Sequence, residues 1–177
     1  TELSEDAQID FLVKVLTPNI QSMEDIVSSG NLKRDPEHYG GVLADLIASV
    51  AHISKGFSQP CQKVKSVMTS VVPIILKSLQ ALPSSDKVRS KTMITLHRLI
   101  FCIGLEILPL MDQFLTILVD HCNDSDISDV SQLLNQLCSK FKGSSANTLN
   151  IVVIPFLKKC HELIPNELEI GTLAPHL

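Results

Sequence analysis

This sequence of 177 residues lacks several of the residue types that particular functions require. It has no tryptophan, one tyrosine and six phenylalanines, so a module that stacks bases or sugars on aromatic rings is not expected. Glycine is also scarce, at seven residues, which leaves little material for a glycine-rich phosphate loop. Charged residues make up 19% of the chain, against about 25% in typical domains, whereas 45% of residues are hydrophobic. This composition excludes intrinsic disorder and predicts a sizeable buried core.

The sequence also lacks motifs for catalysis and metal binding. It contains no Walker A loop, no G-x-S-x-G and no H-E-x-x-H. The five cysteines are odd in number and have no C-x-x-C spacing, which argues against a disulfide framework or a zinc module and indicates a reducing compartment. An acidic stretch at residues 120–129 lacks the glycine and the final glutamate of a calcium loop, and helix capping explains it better. We therefore predict a protein that is not an enzyme, with no cofactor, no metal and no small-molecule substrate.

Two polar residues lie in apolar surroundings, where a catalytic group could be placed. His97 is expected to make a partly buried polar contact, and Glu106 is a candidate buried carboxylate, but neither has a partner acid or base placed by spacing. The longest apolar stretch, residues 99–111, is interrupted by Glu106 and Pro109 and is too short to cross a bilayer. Membrane insertion is not expected.

Apolar residues recur at spacings of three and four along nearly the whole chain, which predicts helices and no strand. Seven helices are predicted, at about residues 4–29, 39–57, 60–83, 86–108, 110–121, 126–143 and 145–164. The last dozen residues are predicted to form a tail. Short connections between so many helices leave two architectures, a compact bundle or an α-solenoid.

Prolines favour the solenoid. Pro18, Pro73 and Pro155 fall inside helical apolar runs, and Pro109 falls at the start of the fifth helix, so that every second helix carries one. Interior proline costs a helix about 3 kcal/mol, and kinked A helices alternating with straighter B helices are typical of HEAT repeats. Coincidental kinks in a single bundle are the alternative.

We expect residues 1–177 to form one HEAT-repeat segment, an α-α superhelix of about three A/B helix pairs and one further helix. Repeat arrays need polar capping repeats at their ends, and neither end of this sequence provides one. The segment is therefore expected to be a fragment of a longer solenoid.

Charge is unevenly distributed along the chain. The net charge is −4, but residues 61–110 carry seven basic and two acidic groups, whereas residues 1–60 and 111–177 are both acidic. Lys87, Lys91 and Arg98 fall on one side of the fourth helix, as phosphate contacts would need. An ordinary solvated face is the alternative. A second group, Lys140, Lys142, Lys158 and Lys159, brackets the turn between the sixth and seventh helices, where lysines also complement a helix dipole.

Four strings resemble helices of one HEAT-repeat family, and their order and spacing agree with it. They are AHISKGFS at 51–58, LHRLI at 96–100 with EILP at 106–109, LLNQL at 133–137 with KFK at 140–142, and IPFL at 154–157. Together they cover about residues 45–164. The sequence resembles the C-terminal half of exportin-T, the family of tRNA-exporting karyopherins.

The resemblance implies a nuclear export receptor of the importin-β superfamily, shuttling between nucleus and cytoplasm. Its partners would be tRNA, the small GTPase Ran in its GTP form, and nuclear pore proteins. Mutual stabilisation of one wrapped form would make tRNA and Ran-GTP bind cooperatively, with RNA recognised by shape and phosphate contacts. If B helices line the concave surface as in that family, the candidate RNA contacts are Lys87, Arg89, Lys91, Arg98, Lys140 and Lys142. A HEAT scaffold or importin-like receptor that binds only proteins is the alternative.

Overall fold

A computed structural model describes residues 4–57 and 60–163, and within those residues it contains helices and no strand. The α-helices are α1 (Glu5–Ser28), α2 (Asn31–Arg34), α3 (Pro36–Ser54), α4 (Gln62–Thr69), α5 (Val72–Ala81), α6 (Asp86–Ile103), α7 (Leu108–Asp120), α8 (Ile127–Phe141) and α9 (Ala146–Leu163). The predicted all-α fold is confirmed. The predicted C-terminal tail lies outside the described residues.

The long helices form two layers. In the first layer α1 packs against α4 and α5, α5 packs against α7, and α7 packs against α9. In the second layer α3 packs against α6, and α6 packs against α8. Because helices alternate between the layers in chain order, the architecture is that of a helical solenoid, with α1, α4–α5, α7 and α9 as A helices and α3, α6 and α8 as B helices.

Helix starts follow side-chain capping. Ser4 accepts a hydrogen bond from the Ala7 amide at 3.3 Å, and Ser85 accepts one from the Val88 amide at 3.4 Å. Asp35 caps α3, accepting from the His38 amide at 3.1 Å, and Pro36 is the first helical residue. The predicted start at residue 39 was therefore three residues late, because Asp followed by Pro is itself a helix-start signal.

One proline interpretation needs correction. Pro18 and Pro155 lie inside α1 and α9 as predicted, and Pro109 opens α7. Pro73, however, lies in the first turn of α5, because the predicted third helix is divided at Ser70–Val71 into α4 and α5. In the first turn of a helix proline removes no intrahelical hydrogen bond. Pro73 therefore begins a new helix and does not kink a continuous one.

The end of α6 also differs from the prediction. Gly104 has φ +75° and ends the helix, and residues 104–107 form a 3-10 turn instead of continuing the helix to residue 108. This turn exposes Glu106, whose carboxylate accepts a hydrogen bond from Gln62 Nε2 at 2.7 Å. Glu106 is thus an exposed carboxylate and not a buried one.

Aliphatic side chains from both layers form one continuous core, which includes Leu12, Ile47, Ile75, Leu96 and Leu118. Cys102 and Cys122 belong to this core as small apolar residues, but Cys138 is exposed, which the sequence pattern did not indicate. The stretch Asp86–Asp120 is long and apolar enough to span a membrane by length and composition alone. In the structure Gly104–Ile107 divides it into α6 and α7, whose apolar faces pack in the core.

Candidate functional site

Helix α6, the middle helix of the second layer, carries most of the predicted contact residues. Lys87 and Arg98 are exposed and Lys91 is partly exposed. At about 100° per residue these three lie on the same side of the helix as two exposed apolar residues, Ile94 and Phe101, within an arc of about 80°. We call this surface the α6 face. It confirms the helical phase expected for the three cations.

Arg89 lies on the opposite side of α6 and is only 2% exposed. Its Nε donates to Asp126 Oδ2 at 2.8 Å, its Nη1 donates to the Pro83 carbonyl at 3.0 Å, and its Nη2 donates to Asp86 Oδ1 at 2.6 Å. Asp126 is buried as well. The guanidinium is therefore enclosed by protein groups and is not offered to a phosphate, so Arg89 does not belong to the exposed set.

The partners of Arg89 join two successive connections of the solenoid. Asp126 also accepts from the Asn123 amide at 3.2 Å, and Asn123 Nδ2 donates to Asp86 Oδ1 at 3.1 Å. This network links the turn before α6 to the turn before α8. Within this network each buried charge depends on the other for its solvation.

Lys87 is exposed but has acidic neighbours. An open groove of about 520 Å³ between α3 and α6 is lined by Asp35, Glu37 and Asp45 together with Lys87. Three carboxylates around one ammonium make this end of the α6 face negative. Lys87 is therefore poorly placed to attract a polyanion.

The other end of the α6 face remains positive. Arg98 has no ion pair among the described residues, and Lys140 comes from α8 to join it. The Lys140 ammonium lies 4.2 Å from the centre of the Phe101 ring and donates to the Phe101 carbonyl at 3.4 Å. Desolvation by burial lowers the pKa of Lys140 below its usual value.

Lys142 follows Lys140 in the turn after α8, where it is exposed and has φ +48°. In the described part of the chain, Lys159 pairs with Glu162 at 3.8 Å, and Lys158 lines a shallow apolar depression on α9. Both of these lysines belong to the A-helix layer. Lys140 and Lys142 are thus separated from the rest of the second basic group.

Hydrogen bonds hold α6 firmly against both neighbours. The Thr95 hydroxyl shares its one proton between the Lys91 carbonyl of α6, at 2.7 Å, and the Ile47 carbonyl of α3, at 3.0 Å. On the other side Gln136 Nε2 of α8 donates to the His97 carbonyl at 3.0 Å, and the Gln136 amide oxygen bonds His97 Nδ1. His97 makes the partly buried polar contact that was predicted. These contacts tie α6 to the helix on each side of the α6 face.

Three exposed apolar residues near these cations were missed from the sequence, namely Ile94, Phe101 and Leu105. Ile94 and Phe101 repeat at helical spacing with Lys91 and Arg98, and that phase is the signal that could have identified them, whereas Leu105 lies beyond Gly104, where the phase of α6 no longer applies. Among residues 4–57 and 60–163 no group of three or more His, Cys, Asp or Glu side chains is placed to hold a metal ion. The arrangement offers binding surfaces of mixed charge and apolar character.

Comparison with known proteins gives one family. The family model for Exportin-T matches residues 1–172. Exportin-T from Oryza sativa subsp. japonica is 32% identical over 165 residues, covering 87% of this chain and 16% of the rice protein. Exportin-T from Dictyostelium discoideum is 29% identical and that from Homo sapiens 26%, covering 86% and 85% of this chain. The chain thus spans about a sixth of the length of these relatives.

Proposed function

The chain belongs to the exportin-T family, and on that premise we propose that it is part of a nuclear export receptor that binds tRNA cooperatively with Ran-GTP. The observation that carries the proposal is the match to the family model over residues 1–172. The receptor would shuttle between nucleus and cytoplasm and would also contact nuclear pore proteins. It would act by binding, without catalysis and without a cofactor.

Within that receptor we propose that the chain contributes one stretch of a longer HEAT solenoid. The pairs would be α1 with α3, α4–α5 with α6, and α7 with α8, and α9 would be the A helix of the next pair. Such repeats act together, because a curved solenoid collects many weak contacts along its surface. This segment would then supply part of the binding energy for a partner.

We propose four residues for RNA contact, namely Lys91, Arg98, Lys140 and Lys142. Their exposure on the second layer supports this role, since a cation must reach a phosphate to release its counterions. Arg98 can form two parallel hydrogen bonds to one phosphate, whereas the lysines act as point charges. Such contacts orient a folded RNA and do not read its base sequence.

Cooperativity would follow from linkage. If tRNA and Ran-GTP each bind the same wrapped form of the solenoid more tightly, each must raise the affinity of the other by the same factor. Hydrolysis of GTP would remove Ran-GTP as a ligand and would thereby weaken the binding of tRNA. Directional transport would then require that Ran carries GTP in the nucleus and hydrolyses it in the cytoplasm.

The test is a titration of labelled tRNA with the full-length protein, with and without GTP-loaded Ran, at two salt concentrations. We expect affinity to rise when Ran-GTP is present and to fall steeply as salt increases. An Arg98→Glu variant should weaken binding, while a Lys158→Glu variant on the other layer serves as a matched charge reversal. Absence of tRNA binding in both nucleotide states would contradict the proposal.

A scaffold that binds only proteins is the second candidate. The exposed side chains of Ile94 and Phe101 beside the cations favour it, because apolar groups gain nothing from phosphates. The same titration separates the two candidates, since the scaffold would show no RNA binding at either salt concentration.

A further inference from the structure

Large apolar side chains form a line along the α6 face. Ile94 is 43% exposed, Phe101 is 56% exposed, and Leu105, in the turn that follows, is 58% exposed. The seven-residue spacing of Ile94 and Phe101 places these two along one side of α6, and Leu105 follows directly after Gly104, which ends the helix. Single exposed apolar residues are normal on a protein surface, but an aligned set indicates an interaction surface.

Cations flank this apolar line on both sides, with Lys91 and Arg98 toward α3 and Lys140 on α8. Lys91 and Arg98 alternate with the apolar residues along α6, and Lys140 is held against the Phe101 ring. In the described part of the chain neither Lys91 nor Arg98 is paired with an acidic residue, whereas Lys87 at the far end has acidic neighbours. The charge pattern therefore calls for a partner with carboxylates beside an apolar stripe.

The surface is also fixed in shape. The Gln136 side chain ties α6 to α8, and Lys140 makes two contacts with Phe101. A surface already held in its binding geometry loses little conformational entropy when a partner arrives.

We infer that the α6 face, extended to Leu105, seats an amphipathic helix of a protein partner, one with apolar residues on one side flanked by Asp or Glu. Ile94 and Leu105 have no use in phosphate recognition, so a protein helix accounts for the whole set and an RNA accounts only for its cations. From Ile94 to Phe101 the helix rises roughly 10 Å, which matches about two turns of a partner helix, and Leu105 lies beyond the end of α6. This inference does not depend on tRNA binding.

The experiment uses the full-length protein and a synthetic probe. The probe is a fluorescein-labelled amphipathic peptide of about four helical turns, with leucines on one face and glutamates beside them. A second peptide replaces every glutamate by lysine. Fluorescence anisotropy measures binding of each peptide to the unaltered protein and to variants, and labelled tRNA is titrated in parallel.

We expect the acidic peptide to bind and the basic peptide not to bind. The double variant Phe101→Ala, Leu105→Ala should weaken acidic-peptide binding at least about tenfold, and Arg98→Glu should weaken it by a similar factor. Phe11→Ala is the matched control, because Phe11 is 48% exposed on α1 in the other layer, and it should change nothing.

Two results would overturn the inference. One is failure of the acidic peptide to bind the unaltered protein. The other is a loss of tRNA affinity in the Phe101, Leu105 double variant as large as the loss in Arg98→Glu, which would make the line part of an RNA surface. Because tRNA binding is measured separately, failure of this inference and failure of the export proposal are distinguishable.

Discussion

The two ends of α6 use positive charge in opposite ways. At its start, Arg89 is buried against Asp126 and Asp86, and Lys87 faces a groove lined by carboxylates. Toward its end, Arg98 is exposed, and Lys140 of the neighbouring helix is held over Phe101. One end therefore uses its cations to join two repeats, and the other presents cations to a partner.

This difference shows why a count of charges along the sequence does not predict a surface. Residues 61–110 carry a net charge of +5, yet of their seven cations Arg89 is enclosed and three others have acidic neighbours, namely Lys63, Lys77 and Lys87. A buried arginine is also among the most sensitive sites in a structure, whereas an exposed one is among the least.

The largest difference between the two ends is expected in stability. Replacing Arg89 by Ala leaves Asp126 buried without its partner, which should lower the free energy of unfolding by about 3–5 kcal/mol. Arg98→Ala removes an exposed side chain and should change it by less than about 0.5 kcal/mol. Urea unfolding followed by circular dichroism measures both. Equal effects of the two substitutions would contradict the burial of the Arg89 network.

The sequence predicts that Arg89 and Arg98 lie on opposite sides of α6, but it does not predict which side is buried. Arg89 is in helical phase with Met93, Leu96 and Ile100, whereas Arg98 is in phase with Ile94 and Phe101. Both sides of α6 thus carry apolar residues, and only packing against α3 and α8 decides which side is buried. The helices and their layers could be predicted because their apolar periodicity is local.

The pairing of Arg89 could not be predicted in the same way. Its partner Asp126 is 37 residues away, in a stretch whose acidic residues serve equally well as helix caps. The prediction of a buried Glu106 was wrong for a related reason. The 3-10 turn that exposes this residue depends on Gly104 adopting positive φ.

The electrostatic contrast between the two ends of α6 also affects the pKa values of two cysteines. Near the start of α6, burial and then Asp126 raise the pKa of Cys122 to about 11, from 9.0. Near its end, burial raises the pKa of Cys102, but Lys140, a hydrogen bond with Ser54, and Arg98 act in the opposite direction.

For Cys122 the folded state keeps a proton that the unfolded state loses above pH 9. The stabilisation is therefore complete below pH 9 and is lost as the pH rises toward 11, by at most about 2–3 kcal/mol. Urea midpoints at pH 8 and pH 10.5 should differ more in the unaltered chain than in Cys122→Ala. Identical differences in the two chains would show that Cys122 keeps no raised pKa.

Tests of RNA affinity sharpen the same comparison. Arg98→Glu should weaken tRNA binding by the full-length protein about tenfold, and it should reduce the slope of log affinity against log salt by about one. Lys87→Glu, the same reversal at the other end, should weaken binding less than about threefold, because Asp35, Glu37 and Asp45 already offset that charge. Anisotropy at two salt concentrations decides, and a larger effect at Lys87 would reverse our assignment of the two ends.

The smallest expected effect concerns the contact that fixes the positive end. A cation beside an exposed aromatic ring is worth about 0.5–1 kcal/mol, so a double-mutant cycle of Lys140→Met and Phe101→Ala should give a coupling energy of that size in urea unfolding. Lys142→Met, an exposed lysine two residues away, combined with Phe101→Ala is the control and should give no coupling. If the first cycle also gives no coupling energy, then Lys140 makes no lasting contact with Phe101. The positive end of α6 is then a set of independent cations and not a fixed surface.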